Sequence, residues 1–123
     1  MQQHRLRPAL LVLALAVMLV TSASAHMKLE KTEPAEGATL ASAPPHIQMW
    51  FTQEPDLAVT RVELSGPGGA VELGEAHVME AQTLMATVRG TMGDGSYTVT
   101  WQTAGDDGHL QKGEFSFEVK HTE

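Results

Sequence analysis

Beyond residue 26, apolar and polar positions alternate along most of the chain, and the alternation marks out short strands. The first runs through Met27, Lys28, Leu29, Glu30 and Lys31, and Pro34-Ala35-Glu36-Gly37 breaks it. Residues 38–43 form a small-residue loop, and Pro44-Pro45 stiffens the entry to the next element. Over residues 46–52, Ile47, Met49 and Phe51 face one way, while His46, Gln48 and Trp50 face the other. Residues 53–56 end that strand, and residues 59–64 alternate again. The turn Gly66-Pro67-Gly68-Gly69 sends residues 70–73 back as a hairpin partner. One further strand starts at His77 or Gln82 and reaches Val88, with Leu84, Ala86 and Val88 on one face. Glycine and aspartate fill the turn at 90–95. Then Tyr97, Val99 and Trp101 repeat at every second position, a loop spans 105–109, and Phe115, Phe117 and Val119 alternate in the last strand.

Past the amino-terminal segment, no stretch holds a helical period over two turns. Six to eight short strands with regularly spaced turns predict an all-β fold. The expected form is a small antiparallel β-sandwich or barrel, Ig-like or cupredoxin-like. Repeats, low-complexity runs and interdomain linkers are absent from the sequence.

The amino-terminal segment reads differently. His4, Arg5 and Arg7 precede an unbroken apolar run over residues 9–20, and Ala23-Ser24-Ala25 comes next. This is the order of a signal peptide, 1–25, cleaved after Ala25. The apolar run is shorter than the roughly 20 residues that span a bilayer. The expectation is an exported protein, residues 26–123, with no membrane insertion after cleavage. Its first residue would be His26.

Charge narrows the partners. In 26–123 only Lys28, Lys31, Arg61, Arg89, Lys112 and Lys120 stand against 15 acidic residues. Such acidity disfavours nucleic acid and anionic membranes as partners. Cysteine is absent, which removes disulfides and any blue-copper centre, since the latter needs a thiolate.

The candidate chemistry is the tripeptide Asp107-Gly108-His109 together with His26. Asp107 and His109 are two apart, so extended backbone would send both side chains from one face, and Gly108 permits a tight bend. A terminal His26 would offer its α-amine and its ring Nδ1, which close a six-membered chelate on one metal. Three nitrogens and one carboxylate oxygen suit square-planar Cu(II). Asp-Gly is also a common turn, so spacing alone leaves a solvated turn and a metal site both open.

From His26 to Val119 the chain resembles the CopC family of periplasmic copper-binding proteins. The residues that carry the resemblance are His26, the stretch Thr32-Glu33-Pro34-Ala35-Glu36-Gly37-Ala38-Thr39-Leu40, Ala43-Pro44-Pro45 and Phe51-Thr52. Gly95, Tyr97, Val99, Trp101, Asp107-Gly108-His109, Gly113, Phe115, Phe117 and Val119 continue it. The resemblance implies a Greek-key fold and one Cu(II) per chain on the His26 amine and imidazole, Asp107 and His109. It also implies a periplasmic carrier or buffer in copper homeostasis or resistance, with an inner-membrane copper transporter of the CopD type as partner.

The chain departs from the family in two places. Some members hold Cu(I) in a methionine-rich loop, whereas Met27, Met49, Met79, Met85 and Met92 are dispersed here. Pairings of His46 with Met49, or His77 with Met79, are therefore set aside as a second site. Many members carry glutamate where Gln53 stands; Gln53 can hydrogen-bond a ligand but adds no charge. His121 in the tail reads as a solvated residue, and Trp50 supports no site.

Two other functions compete with carriage. The His26 chelate resembles the histidine brace of lytic polysaccharide monooxygenases, but those enzymes are larger. Asp107 would also fill a position that oxygen chemistry needs open, so the expectation is not an enzyme. A plain sandwich without metal would show a different mature terminus.

Overall fold

Ile47, Met49 and Phe51 turn inward and are almost wholly buried, while His46, Gln48 and Trp50 stay on the outer face. The alternation of their strand is thus realised side by side. The structure is a computed structural model and describes residues 26–122; the segment 1–25 expected to be a signal peptide lies outside them.

Nine strands are present among the described residues: β1 (Leu29–Glu33), β2 (Thr39–Leu40), β3 (His46–Phe51), β4 (Arg61–Gly66), β5 (Gly69–Val71), β6 (His77–Met79), β7 (Thr83–Thr87), β8 (Gly95–Ala104) and β9 (Leu110–Val119). A single 3-10 turn, Leu57–Val59, precedes β4. The strands form two sheets, β1-β3-β7-β6 and β2-β9-β8-β4-β5. The chain passes between the sheets before β2, β3, β4, β6 and β8, so β3 pairs with β7 and β4 with β8 across intervening strands. This is an all-β sandwich with Greek-key connections.

The core lies between the sheets. Phe51, Leu84 and Met49 from one sheet meet Val99, Trp101, Phe115, Phe117 and Val119 from the other. Phe51 and Trp101 cross edge to face with ring centroids 5.4 Å apart, a geometry worth about 0.5–1.5 kcal/mol beyond burial. Gly113 faces Trp101 across the ladder; a Cβ there would come within 2.5 Å of the indole.

Several elements differ from the sequence reading; the strand read at 59–64 is β4, Arg61–Gly66, which starts after the 3-10 turn Leu57–Val59. Of the two starts read for the strand that reaches Val88, Gln82 corresponds to β7, while His77 begins a separate strand, β6, because Ala81 and Gln82 both adopt φ of 57° and reverse the chain between them. Residues 38–43, read as loop, contain β2, which runs parallel to β9. That one pairing breaks the antiparallel rule, and it is made by backbone bonds: Glu118 N–H to Ala38 O at 2.8 Å and Lys120 N–H to Leu40 O at 2.8 Å. The first strand begins two residues later than Met27, at Leu29. Finally, β8 and β9 are ten residues each, longer than their apolar repeats, and their unbroken register runs from Gly95 opposite Val119 to Ala104 opposite Leu110. That long hairpin ends in residues 105–109, a short loop on a stiff support.

Candidate metal centre

His26 is held in place through its neighbours Met27 and Lys28. Met27 is buried in the core at 3% exposure. Lys28 N–H donates to Thr52 Oγ1 at 2.8 Å, and Thr52 N–H donates to Lys28 O at 2.9 Å. The residues before β1 are therefore tied to the end of β3, and His26 projects from that anchor with its side chain half exposed.

Asp107 and His109 arrive from the β8–β9 loop, in a turn instead of on extended backbone. Gly108 sits at φ +72°, in the left-handed region that glycine occupies without strain. Its N–H donates to Gly105 O at 3.1 Å. Asp107 Oδ1 accepts the His109 N–H at 3.1 Å, the side-chain-to-backbone bond two residues on that typifies Asp in turns. The two side chains do lie together, as their spacing predicts, but a turn and not a strand brings them there.

The other oxygen does different work. Asp107 Oδ2 lies 2.9 Å from His26 Nδ1 and 3.2 Å from His109 Nδ1. The two imidazole centroids are 5.3 Å apart. One ligand atom from each of His26, Asp107 and His109 falls within 4.8 Å of the others, and among the described residues these form the only such cluster of histidines and acidic groups. The structure thus brings together all three residues singled out in the sequence. The nitrogen of His26 that faces Asp107 is Nδ1, the one a six-membered chelate would require if His26 were the chain terminus. All three residues are open to solvent, so an ion could enter and leave without unfolding.

The His109 backbone N–H, more than any other partner, holds the Asp107 carboxyl below the usual carboxylate range. Burial opposes this, while the His26 hydrogen bond and the nearby His109 and His26 charges reinforce it. Asp107 therefore stays an acceptor into mild acid, ready to neutralise part of a cation's charge.

Other candidates fall elsewhere. Met49 lies in the core and His46 on the opposite face of β3, so they cannot share an ion. Met85 Sδ accepts from the Gln48 amide at 3.4 Å. Lys31 Nζ stands 4.7 Å above the Trp50 ring, a cation–π contact on the outer face of the first sheet. His121 is not simply solvated: its N–H and its ring both bond Asp94, beside the start of β8 and remote from residues 105–109. Gln53 Oε1, which the sequence reading allows a hydrogen bond to a ligand, accepts the backbone N–H of Asp106 at 2.9 Å. The Gln53 amide sits against Gly105, where a Cβ would lie 2.2 Å from Gln53 Oε1.

A family profile for the CopC domain matches residues 29–120. The chain belongs to the CopC family. Among the relatives of this CopC-family chain is the copper resistance protein C of Xanthomonas campestris pv. juglandis. It is 32% identical over 117 residues, which are 89% of this chain and 91% of the relative. Protein YobA of Escherichia coli strain K12 is 27% identical over 118 residues, 94% of each chain. Two solved structures share the CopC-family fold. CopC from Methylosinus trichosporium OB3b superposes with a TM-score of 0.71 at 22% identity, covering 80% of this chain and 97% of that one. PcoC, described as a methionine-rich copper resistance protein from Escherichia coli, gives 0.69 at 22% identity, covering 78% and 100%.

Proposed function

We propose that the mature protein is an exported, periplasmic copper-binding protein that carries one Cu(II) per chain in copper resistance or homeostasis. Its ligands are the α-amine and Nδ1 of His26, the carboxylate of Asp107 and the ring of His109. The observation that carries this reading is the convergence of His26 and His109 on Asp107 Oδ2, although His26 lies 81 positions from Asp107 in the chain. Its family setting supports it, since a relative spanning most of the chain is named for copper resistance.

The donor set favours Cu(II). Imidazole and amine nitrogens with one carboxylate suit a tetragonal ion, whereas calcium would take six or more oxygens. The role is carriage, not catalysis: four donors fill the equatorial plane, and the ion is cargo. Delivery to an inner-membrane transporter of the CopD type fits an exported carrier. Among the described residues, no helix is long and apolar enough to cross a membrane.

The test is direct. Protein recovered from the periplasm of copper-fed cells is analysed for its amino-terminal residue and metal content. A chain beginning at His26 with one copper supports the reading. A chain that retains residues 1–25, or one that holds no copper, overturns it.

A further inference from the structure

Two consecutive residues at the end of β3 reach the two halves of the centre. Thr52 is bonded both ways to Lys28, two residues after His26. Gln53 Oε1 accepts the N–H of Asp106, which precedes Asp107. The Gln53 amide sits directly against Gly105. A Cβ on Gly105 would lie 2.2 Å from Gln53 Oε1 and 3.2 Å from the Cβ of Met27. Gly105 has no left-handed φ, so an alanine could adopt its backbone conformation. The space is what requires glycine.

We propose that Gln53, seated on the bare Cα of Gly105, is a positioning residue for the metal ligands. Through Asp106 it fixes the Asp107–His109 turn at its distance from His26. One β-strand end thereby sets both sides of the site: Thr52 holds the amino-terminal half and Gln53 the loop half. The amide oxygen does this without adding charge beside the ion. Any acceptor of the same reach serves; an apolar side chain of similar size does not. This role rests on the copper reading given above.

The experiment uses the mature protein beginning at His26, with Gln53→Leu, Gln53→Glu and Gly105→Ala. Three quantities are read: Cu(II) affinity by chelator competition, the EPR spectrum of the copper complex, and exchange of the Asp106 amide proton in metal-free protein. Urea midpoints confirm that each variant is folded. Gln53→Leu is expected to expose the Asp106 amide to exchange, change the EPR parameters and weaken Cu(II) binding about 10–100-fold, the usual cost of losing a partner behind the ligands. Gln53→Glu keeps the acceptor and restores protection, spectrum and affinity to near the wild-type values. Gly105→Ala, which displaces the amide, behaves as Gln53→Leu does.

A folded Gln53→Leu protein with wild-type affinity and spectrum overturns the positioning role and leaves the copper reading standing. So does a folded Gln53→Glu protein as impaired as Gln53→Leu. A wild-type protein that binds no Cu(II) overturns both.

Discussion

The carboxylate Oδ2 of Asp107 stands 2.9 Å from Nδ1 of His26, although 81 positions of chain separate them. Asp107 divides its oxygens between two tasks. Oδ1 holds the turn by accepting the His109 N–H, and Oδ2 faces both imidazoles. As a proposed ligand that also builds its own loop, Asp107 is hard to replace, because substitution loosens the geometry as well as removing a donor.

Asp107→Asn separates those two tasks. Asparagine keeps an oxygen for the turn but loses the charge and one acceptor. Cu(II) affinity is expected to fall by more than the roughly 10–100-fold typical of losses behind the ligands, while the urea midpoint of the metal-free protein at pH 7 falls only by what the ionised carboxylate adds to the turn bond that asparagine keeps. Chelator competition and urea unfolding on the same preparation check both parts. Unchanged affinity would remove Asp107 from the ligand set.

Acid should weaken the fold through two carboxylates. Backbone N–H bonds, from His109 to Asp107 and from His121 to Asp94, are the largest causes holding these carboxyls below their ordinary range in the folded chain. A group whose folded pKa is lowered contributes stability that is complete above its unfolded value, near pH 3.9 for aspartate. That contribution is lost as pH falls through the lower folded value. Urea midpoints of the metal-free protein should therefore drop below about pH 4, and Asp94→Asn or Asp107→Asn should flatten the drop. Equal acid sensitivity in both variants and the wild type would contradict this.

Core substitutions should grade by the cavity they leave. Phe51 is 1% exposed and meets Trp101 edge to face. Phe51→Ala is expected to cost about 3–5 kcal/mol, and Ile47→Val about 0.5–1.5 kcal/mol. Denaturant unfolding with a constant slope measures both. A Phe51→Ala loss no larger than that of Ile47→Val would show that the two sheets do not close on Phe51.

Strands that bury one face could be read from the sequence, because burial imposes the period of two. β3, β8 and β9 show this in Ile47, Met49, Phe51, Tyr97, Val99, Trp101, Phe115, Phe117 and Val119, all buried. Elements made by the backbone alone left no such trace. β2 is two residues joined to β9 by main-chain bonds, and the turn at Ala81-Gln82 takes left-handed φ without glycine. The grouping of His26, Asp107 and His109, within 4.8 Å of one another, was legible because their donor chemistry is particular. Their distances were not, since those depend on Met27 burial, on Thr52 and on Gln53, whose side chains look ordinary in a linear sequence.

The proposed copper chelate needs His26 to be a chain terminus. A Cu(II) titration read by EPR tests this on two proteins, one beginning at His26 and the other with a single alanine added before it. The addition keeps every side chain and converts the α-amine to an amide. An unperturbed α-amine titrates near about pH 8, and copper must displace its proton, so affinity of the first protein should fall as pH is lowered. One tightly held Cu(II) with a tetragonal, nitrogen-rich spectrum is predicted for the protein that begins at His26, and much weaker binding with a changed spectrum for the extended one. Equal affinity and identical spectra would show that the amine is not a ligand and would contradict the proposed site.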